Sequence, residues 1–203
     1  MGDHIPGLII LISGKRKSGK DFLAEKLVSE ISPQGSGTTA VILRISGPLK
    51  KEYARLHQLS FDRLSDSSPY KESYRQEMVR WSDEIRQKDP FYFCRLTTSE
   101  AMESSGARIW IVSDIRRPAD IQYFVENFEK KFAVPIFKVR VEASEKARVK
   151  RGWNFEAGID DADTECALDN ADVGWDFVFS NNDDLDKSFS KSFRVLVGRI
   201  FEQ

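Results

Sequence analysis

At 203 residues, 40% of them hydrophobic and 31% charged, the chain has the size and apolar content of one domain with a full core. Its 31 Lys+Arg stand against 32 Asp+Glu, a formal net charge of -1, which excludes a chain-wide basic stripe for nucleic acid and a charged tail. Cys94 and Cys166 lie in no C-x-x-C pair, and His4 and His57 are the only histidines, which argues against a disulfide framework, a zinc centre and a histidine-based triad.

Residues 8–13, Leu-Ile-Ile-Leu-Ile-Ser, predict a short buried strand. The run is too short for a signal-peptide core or a membrane span. Met1-Gly2 opens like a myristoylation site, but Pro6 stands where Ser or Thr is needed, and Phe201-Glu202-Gln203 is no peroxisomal signal. A cytoplasmic monomer is expected, with no membrane and no nucleic-acid partner. Residues 14–21 then read Gly-Lys-Arg-Lys-Ser-Gly-Lys-Asp. Gly14, Gly19 and Lys20 match Gly-x-x-x-x-Gly-Lys, in which backbone N–H groups cradle phosphates and the lysine reaches the outer ones. Asp21 departs from the Ser or Thr expected next. Lys15, Arg16 and Lys17 join Lys20, so the loop is dense in cations and suits several phosphates at once. A plain Gly/Lys-rich surface loop is the alternative. The strand before and the helix after favour the phosphate loop, with a nucleoside triphosphate on Gly14, Lys15, Arg16, Lys17, Ser18, Gly19, Lys20 and Asp21.

The first helix is predicted over 19–31, with Leu23, Leu27 and Ile31 facing the core. Residues 32–37 form a loop, 40–46 a second buried strand, and Gly47-Pro48 turns the chain into a helix over 49–56. Strand, helix, strand, helix is the opening of a parallel sheet. Residues 60–69 are polar and turn-rich. Helices follow over 70–87, with Tyr74, Met78, Trp81 and Ile85 on one stripe, and over 91–102. The third strand is 109–114, ending in Asp114, followed by Arg116, Arg117 and a helix over 118–128. A fourth strand covers 136–141 and a short basic helix 144–151. Residues 152–174 read as acidic and irregular, with Asp163 as a helix N-cap and the other acids in loop turns. A last strand covers 177–179. Leu185, Phe189, Ser192, Leu196 and Ile200 place a stripe on the final helix.

Open parallel sheets bind ligands beyond the carboxyl ends of their strands. Four features fall there: the phosphate loop, residues 46–50, residues 114–117, and Asn181-Asn182. Asp114 stands where P-loop enzymes hold magnesium, and equally where an aspartate caps a helix. Arg116 and Arg117 are either a solvated pair or phosphate ligands, and their place at a strand end opposite the phosphate loop favours the second, because a guanidinium makes two parallel bonds to phosphate oxygens. Arg148 and Arg151 share a helix face and form either a lid or a solvated surface. Arg86, Arg95 and Arg140 are each weak alone.

Residues 13–21, 43–50, 68–72 (Ser-Pro-Tyr-Lys-Glu), 113–117, 150–153 (Lys-Arg-Gly-Trp) and 165–170 (Glu-Cys-Ala-Leu-Asp-Asn) resemble, in the same order, the motifs of animal-type phosphomevalonate kinases. That family carries Asp where other phosphate loops carry Ser or Thr. The resemblance implies an α/β, three-layer P-loop fold like that of nucleoside monophosphate kinases. Its central, mostly parallel sheet has about five strands, with helices on both faces. One kinase domain spans 1–203, with a small lid near 144–165. The implied reaction moves the γ-phosphoryl of Mg-ATP onto the phosphate of 5-phosphomevalonate. The resemblance makes Lys15, Lys20, Arg116 and Arg117 the catalytic cations. Arg151 and Asn182 would contact the nucleotide. Arg16, Arg86, Arg95, Arg116, Arg117, Arg140 and Asn181 would contact the acceptor, and Asp21 and Asp114 the Mg2+. An acceptor phosphate, with a second pKa of about 6, is already a nucleophile and needs no general base. A deoxynucleoside monophosphate kinase and a non-catalytic nucleotide-binding module are the alternatives.

Overall fold

The computed structural model describes residues 4–33, 37–65, 69–182 and 187–202. The expectations for Met1-Gly2, the middle of the 32–37 loop, residues 66–68, Leu185 and Gln203 lie outside the described residues. The elements run β1 (Leu8–Gly14), α1 (Lys20–Ile31), β2 (Ala40–Leu43), α2 (Ser46–His57), α3 (Phe61–Ser65), α4 (Pro69–Lys88), α5 (Tyr92–Ser104) and β3 (Ile109–Ile115). Then come α6 (Pro118–Phe124), a π-helical segment (Val125–Glu129), α7 (Lys130–Phe132), β4 (Ile136–Glu142), α8 (Glu145–Lys150), α9 (Asp163–Cys166), β5 (Phe177–Ser180) and α10 (Lys187–Phe201).

The five strands pair in parallel in the order β2-β3-β1-β4-β5. β1 therefore has a neighbour on each side and helices above and below. Its residues Ile9, Ile10, Leu11 and Ile12 are fully buried, which explains the unbroken apolar run. Each such side chain contributes about 1.5–3 kcal/mol by leaving water. On one face, Leu23, Leu27 and Ile31 of α1 and Leu196 and Ile200 of α10 pack on Ile10, Ile12, Val139 and Phe179. On the other, Phe93 of α5, Phe124 of α6 and Phe128 pack on Ile9, Leu11, Trp110 and Val112. The three layers expected from the sequence are present. A side cluster of Tyr53, Ala54, Leu64 and Met78 ties α2, α3 and α4 together beside the sheet.

Two features of this frame place the chemistry. β1 and β4 are neighbours whose onward connections run to opposite edges of the sheet, which opens a crevice beyond their carboxyl ends. The phosphate loop leaves β1 into that crevice. Secondly, Leu11 pairs with Val112 but Ser13 with Ile115, so β3 carries one extra residue at its end. This bulge keeps Val112 and Ile115 in the same core cluster and leaves Asp114 half-buried at the strand exit. Its two carboxylate oxygens accept from the backbone N–H groups of Ile45 (2.8 Å) and Ser46 (2.9 Å). That long-range contact ends β2 at Leu43 and starts α2 at Ser46, so the strand is shorter and the helix longer than the sequence predicts.

Candidate active site

The loop between β1 and α1 curls because glycine stands where no other residue fits. Gly14 has φ +154°, and a Cβ there would stand 2.5 Å from the Val141 carbonyl oxygen. Gly19 has φ +95°, and a Cβ there would stand 2.2 Å from Asn181 Nδ2. Gly19→Ala is expected to strain the loop by about 1–3 kcal/mol and to push Asn181 aside. The unfolding midpoint should fall by about 2–4 °C per kcal/mol. Nucleotide affinity, measured by calorimetry, should drop by about tenfold or more, since each 1.4 kcal/mol is a factor of ten.

Inside the curl the chemistry is that of an anion cradle. The Ser18 hydroxyl and Arg16 Nε are buried with no hydrogen-bond partner among the described residues. α1 begins at Lys20, so its positive dipole end faces the loop. Lys20 is only 7% exposed, and its amine donates to the Lys15 carbonyl at 3.0 Å. Burial, and next the charge of Arg116, lower its pKa to about 7, against a partial upward pull from Asp21 and Asp114. A lysine so poised gains most from an incoming anion.

Other cations surround it, each held by a carboxylate. Arg116 pairs with Glu165, whose second oxygen accepts from the Arg16 backbone N–H at 2.8 Å. Lys15 and Arg140 share Asp169, at 2.6 and 2.5 Å. Arg117 pairs with Asp83, and Arg86 with Asp120 at 2.9 Å. The segment after α8 closes over the loop. Arg16 Nη1 reaches Glu156 and Nη2 reaches Asp160, both at 3.2 Å, and Nη2 donates to the Asn154 carbonyl at 3.0 Å. Arg148 donates to the Arg16 carbonyl at 2.8 Å and lies 4.0 Å from the Trp153 ring centre. Arg151 donates to the carbonyls of Ser18 (3.2 Å) and Asn181 (3.0 Å), while Asn181 Nδ2 donates to Ser18 O at 2.8 Å.

A cavity of about 620 Å³ opens beside the loop. Lys20, Asp21, Asp114, Arg116, Arg117, Arg86 and Glu165 line it from the start of α1, the end and exit of β3, α4 and α9. Arg44, Lys50, Lys71 and Arg75 line it from the β2–α2 junction, α2 and α4. These last cations crowd one another. Burial first, and then the charges of Lys71, Arg44 and Arg75, push Lys50 down to about 8, with Asp114 pulling the other way. Ile45, Leu49, Met78, Val79 and Ile159 supply apolar wall. A second cavity, about 670 Å³, is lined by Lys15, Ser18, Arg140, Asp169, Trp175 and Asn182 among others.

Known proteins resemble the chain along its length. The family model described as Phosphomevalonate kinase matches residues 12–130, from the end of β1 through the π-helical segment. The chain is 42% identical over 192 residues to the phosphomevalonate kinase of Drosophila melanogaster, covering 95% of this chain and 96% of the relative. The chain belongs to the phosphomevalonate kinase family. The structure of Mycobacterium tuberculosis APS kinase CysC in complex with AMPPNP and APS superposes with a TM-score of 0.52 at 13% identity, over 98% of this chain and 99% of that one. That likeness shows the shared α/β fold of the kinase sheet and its helices.

For a phosphomevalonate kinase read from sequence, the structure brings most expected residues together. Gly14 to Asp21, Arg86, Asp114, Arg116, Arg117, Arg140, Arg151 and Asn181 converge on the loop and its two cavities. Arg95 does not: it pairs with both oxygens of Asp89 in solvent and lines neither cavity. Asn182 lines the second cavity, and its side-chain oxygen accepts from the Ser144 N–H at 2.6 Å. Asp21 is exposed with Arg44 at 3.5 Å, whereas both oxygens of Asp114 are engaged by the start of α2.

The acidic stretch corrects the sequence reading. Asp160 and Glu165 are buried and hold arginines, while Asp160 and Asp161 also make the expected loop turns, accepting from the Glu156 N–H at 2.9 Å and the Gly158 N–H at 2.6 Å. The α9 N-cap is Ala162, and Asp163 follows it in the first turn. Arg75 was missed as a cavity residue. Its signal is helical spacing: Lys71, Arg75, Ser82 and Arg86 form a polar stripe alongside the apolar one on α4.

Proposed function

We propose that the chain transfers the γ-phosphoryl of ATP to the phosphate of 5-phosphomevalonate, giving ADP and 5-diphosphomevalonate. One observation carries the acceptor: a single cavity with two cation groups, Arg116 with Arg117 and Arg86, and Lys50 with Lys71, Arg44 and Arg75. An acceptor with a phosphate at one end, a carboxylate at the other and a branched apolar middle matches both groups and the aliphatic wall. A nucleoside monophosphate needs a surface on which its base stacks. Phe61 is the sole aromatic among the described residues lining this cavity, which favours the smaller acceptor.

The residues then have separable roles. The loop N–H groups and Lys20 hold the donor phosphates, with Lys15, Arg16 and Arg151 around them. Arg116 and Arg117 hold the acceptor phosphate and the transferring group, and Arg86 and Arg140 add positive potential. The segment near 144–165 acts as the lid through Arg148 and Arg151. The work is bringing two polyanions into line and neutralising their charge, which is positioning and electrostatics, not proton abstraction. The donor set also fits magnesium. Asp21 offers an open carboxylate, and the ion takes few protein ligands, keeping waters and phosphate oxygens. When bound, Mg2+ would neutralise charge on the donor phosphates.

ADP release with Mg-ATP, offering phosphomevalonate, mevalonate and nucleoside monophosphates in parallel, tests the proposal. Turnover with phosphomevalonate alone is the expected result. Turnover with a nucleotide alone overturns the acceptor, and ATP binding with no turnover overturns catalysis. In the same assay, Asp21→Asn should raise the Mg2+ concentration needed for half-maximal rate.

A further inference from the structure

The acceptor-side arginines come from two elements that do not meet in sequence. Arg86 sits in the last turn of α4, and Arg116 and Arg117 join β3 to α6. Three guanidinium groups lining one cavity repel one another, and a repelling cluster holds its geometry only if something fixed holds it. Their side-chain partners differ in kind. Glu165 belongs to the segment over the loop, and Asp83 is 39% exposed on α4. An acceptor phosphate entering the cavity replaces such partners at Arg116 and Arg117.

Asp120 is different. It is 1% exposed, at the third position of α6, and among the described residues its carboxylate bonds to this cluster and to the Cys94 thiol directly beneath it. Oδ1 accepts from Arg86 Nη1 at 2.9 Å and from the Cys94 thiol at 3.6 Å. Oδ2 accepts from the backbone N–H groups of Arg116 and Arg117, each at 3.1 Å. The Cys94 thiol is itself fully buried, and burial pushes its pKa up, so it stays a neutral donor under the carboxylate. The contacts to Arg116 and Arg117 run through the main chain. Their guanidinium groups can exchange Glu165 and Asp83 for phosphate while the backbone stays anchored. Arg86, whose side chain Asp120 grips directly, also rests 5.1 Å from the Phe93 ring centre.

We infer that Asp120 is the positioning residue of the acceptor site, the fixed counter-charge that sets Arg86, Arg116 and Arg117 at one spacing for one phosphate. The inference rests on the acceptor reading above. Asp120 touches no substrate and acts only through the three arginines.

Steady-state kinetics of the full chain test it. Asp120→Asn removes the charge and one acceptor but keeps the shape. It should raise the KM for phosphomevalonate by about tenfold, the scale for loosening a charge-assisted contact. The KM for ATP should stay within about twofold, because the phosphate loop is held by other residues. A merely structural aspartate would lower the active fraction and leave both KM values alone, and that result overturns the inference. An equal rise in both KM values overturns it too. A double-mutant cycle with Arg86→Ala should show coupling, the second substitution costing less in the presence of the first. Additive effects refute a shared role.

If the wild type used a different acceptor, the acceptor reading would fail, and the KM for that acceptor would then test Asp120. If Asp120→Asn did not fold, hydrogen exchange on the wild type decides. The Arg116 and Arg117 amides should stay protected with and without acceptor, and exchange at the rate of an open loop refutes the anchor.

Discussion

Lys20→Met is expected to lower turnover by about a hundredfold or more while leaving the chain folded. Methionine fills much the same space, so packing is kept and the charge is lost. The magnitude is that of removing one positioned electrostatic group from a site that works by electrostatics. A folded Lys20→Met chain with ordinary turnover would remove the basis of the proposed mechanism. The lowered pKa of Lys20, about 7, adds a second readout. Phosphate next to the amine favours its charged form, so donor binding above neutral pH takes up a proton. Affinity for ATP should then fall as pH rises from about 7.5, where the phosphate is already fully ionised, by up to tenfold per unit. Calorimetry in buffers of different ionisation enthalpy should detect the proton, and Lys20→Met should abolish both effects. The sign for stability follows from the same shift. The folded chain binds fewer protons than the unfolded one between about 7 and 10.5, so this group favours folding increasingly as pH rises through that window.

What the sequence made legible, and what it did not, divides by range. The strands were legible because a parallel sheet covered on both faces needs unbroken apolar runs, and residues 8–12 and 109–112 have little other use. The phosphate loop was legible because two glycines, a lysine, a strand and a helix coincide within a short stretch. The start of α2 was not, because Asp114, distant in sequence, sets it. The buried acids were not, because Asp160 and Glu165 look like a solvated acidic run until the fold lays that run across Arg16 and Arg116. Asp120 reads from sequence as a first-turn helix residue, which it is. Only the packing of α4 against α6 shows that its other oxygen grips Arg86.

Arg116→Ala is expected to lower turnover on the same hundredfold scale, and its value lies in what it does to Lys20. Arg116 lines the acceptor cavity, and burial lowers its own pKa from the usual arginine value while Asp114 supports its charge. After burial, its charge is the largest influence lowering the Lys20 pKa. Removing Arg116 therefore raises that pKa, and the pH at which ATP affinity begins to fall should move upward. The proton taken up on ATP binding at pH 8 should shrink correspondingly. A loss caused by general disorder of the site would lower turnover without moving that proton. Arg116→Lys separates charge from geometry. It restores the repulsion on Lys20, so the pH profile should return toward the wild type. It lacks the planar fork that binds two phosphate oxygens, so turnover should recover only in part, remaining about tenfold low. The Glu165 carboxylate loses its guanidinium partner in both variants, so thermal unfolding of each is needed to set the folded fraction. An Arg116→Ala chain that folds, turns over normally and keeps the wild-type pH profile would show that the two cations do not share a site, and the proposed division between donor and acceptor phosphates would fall with it.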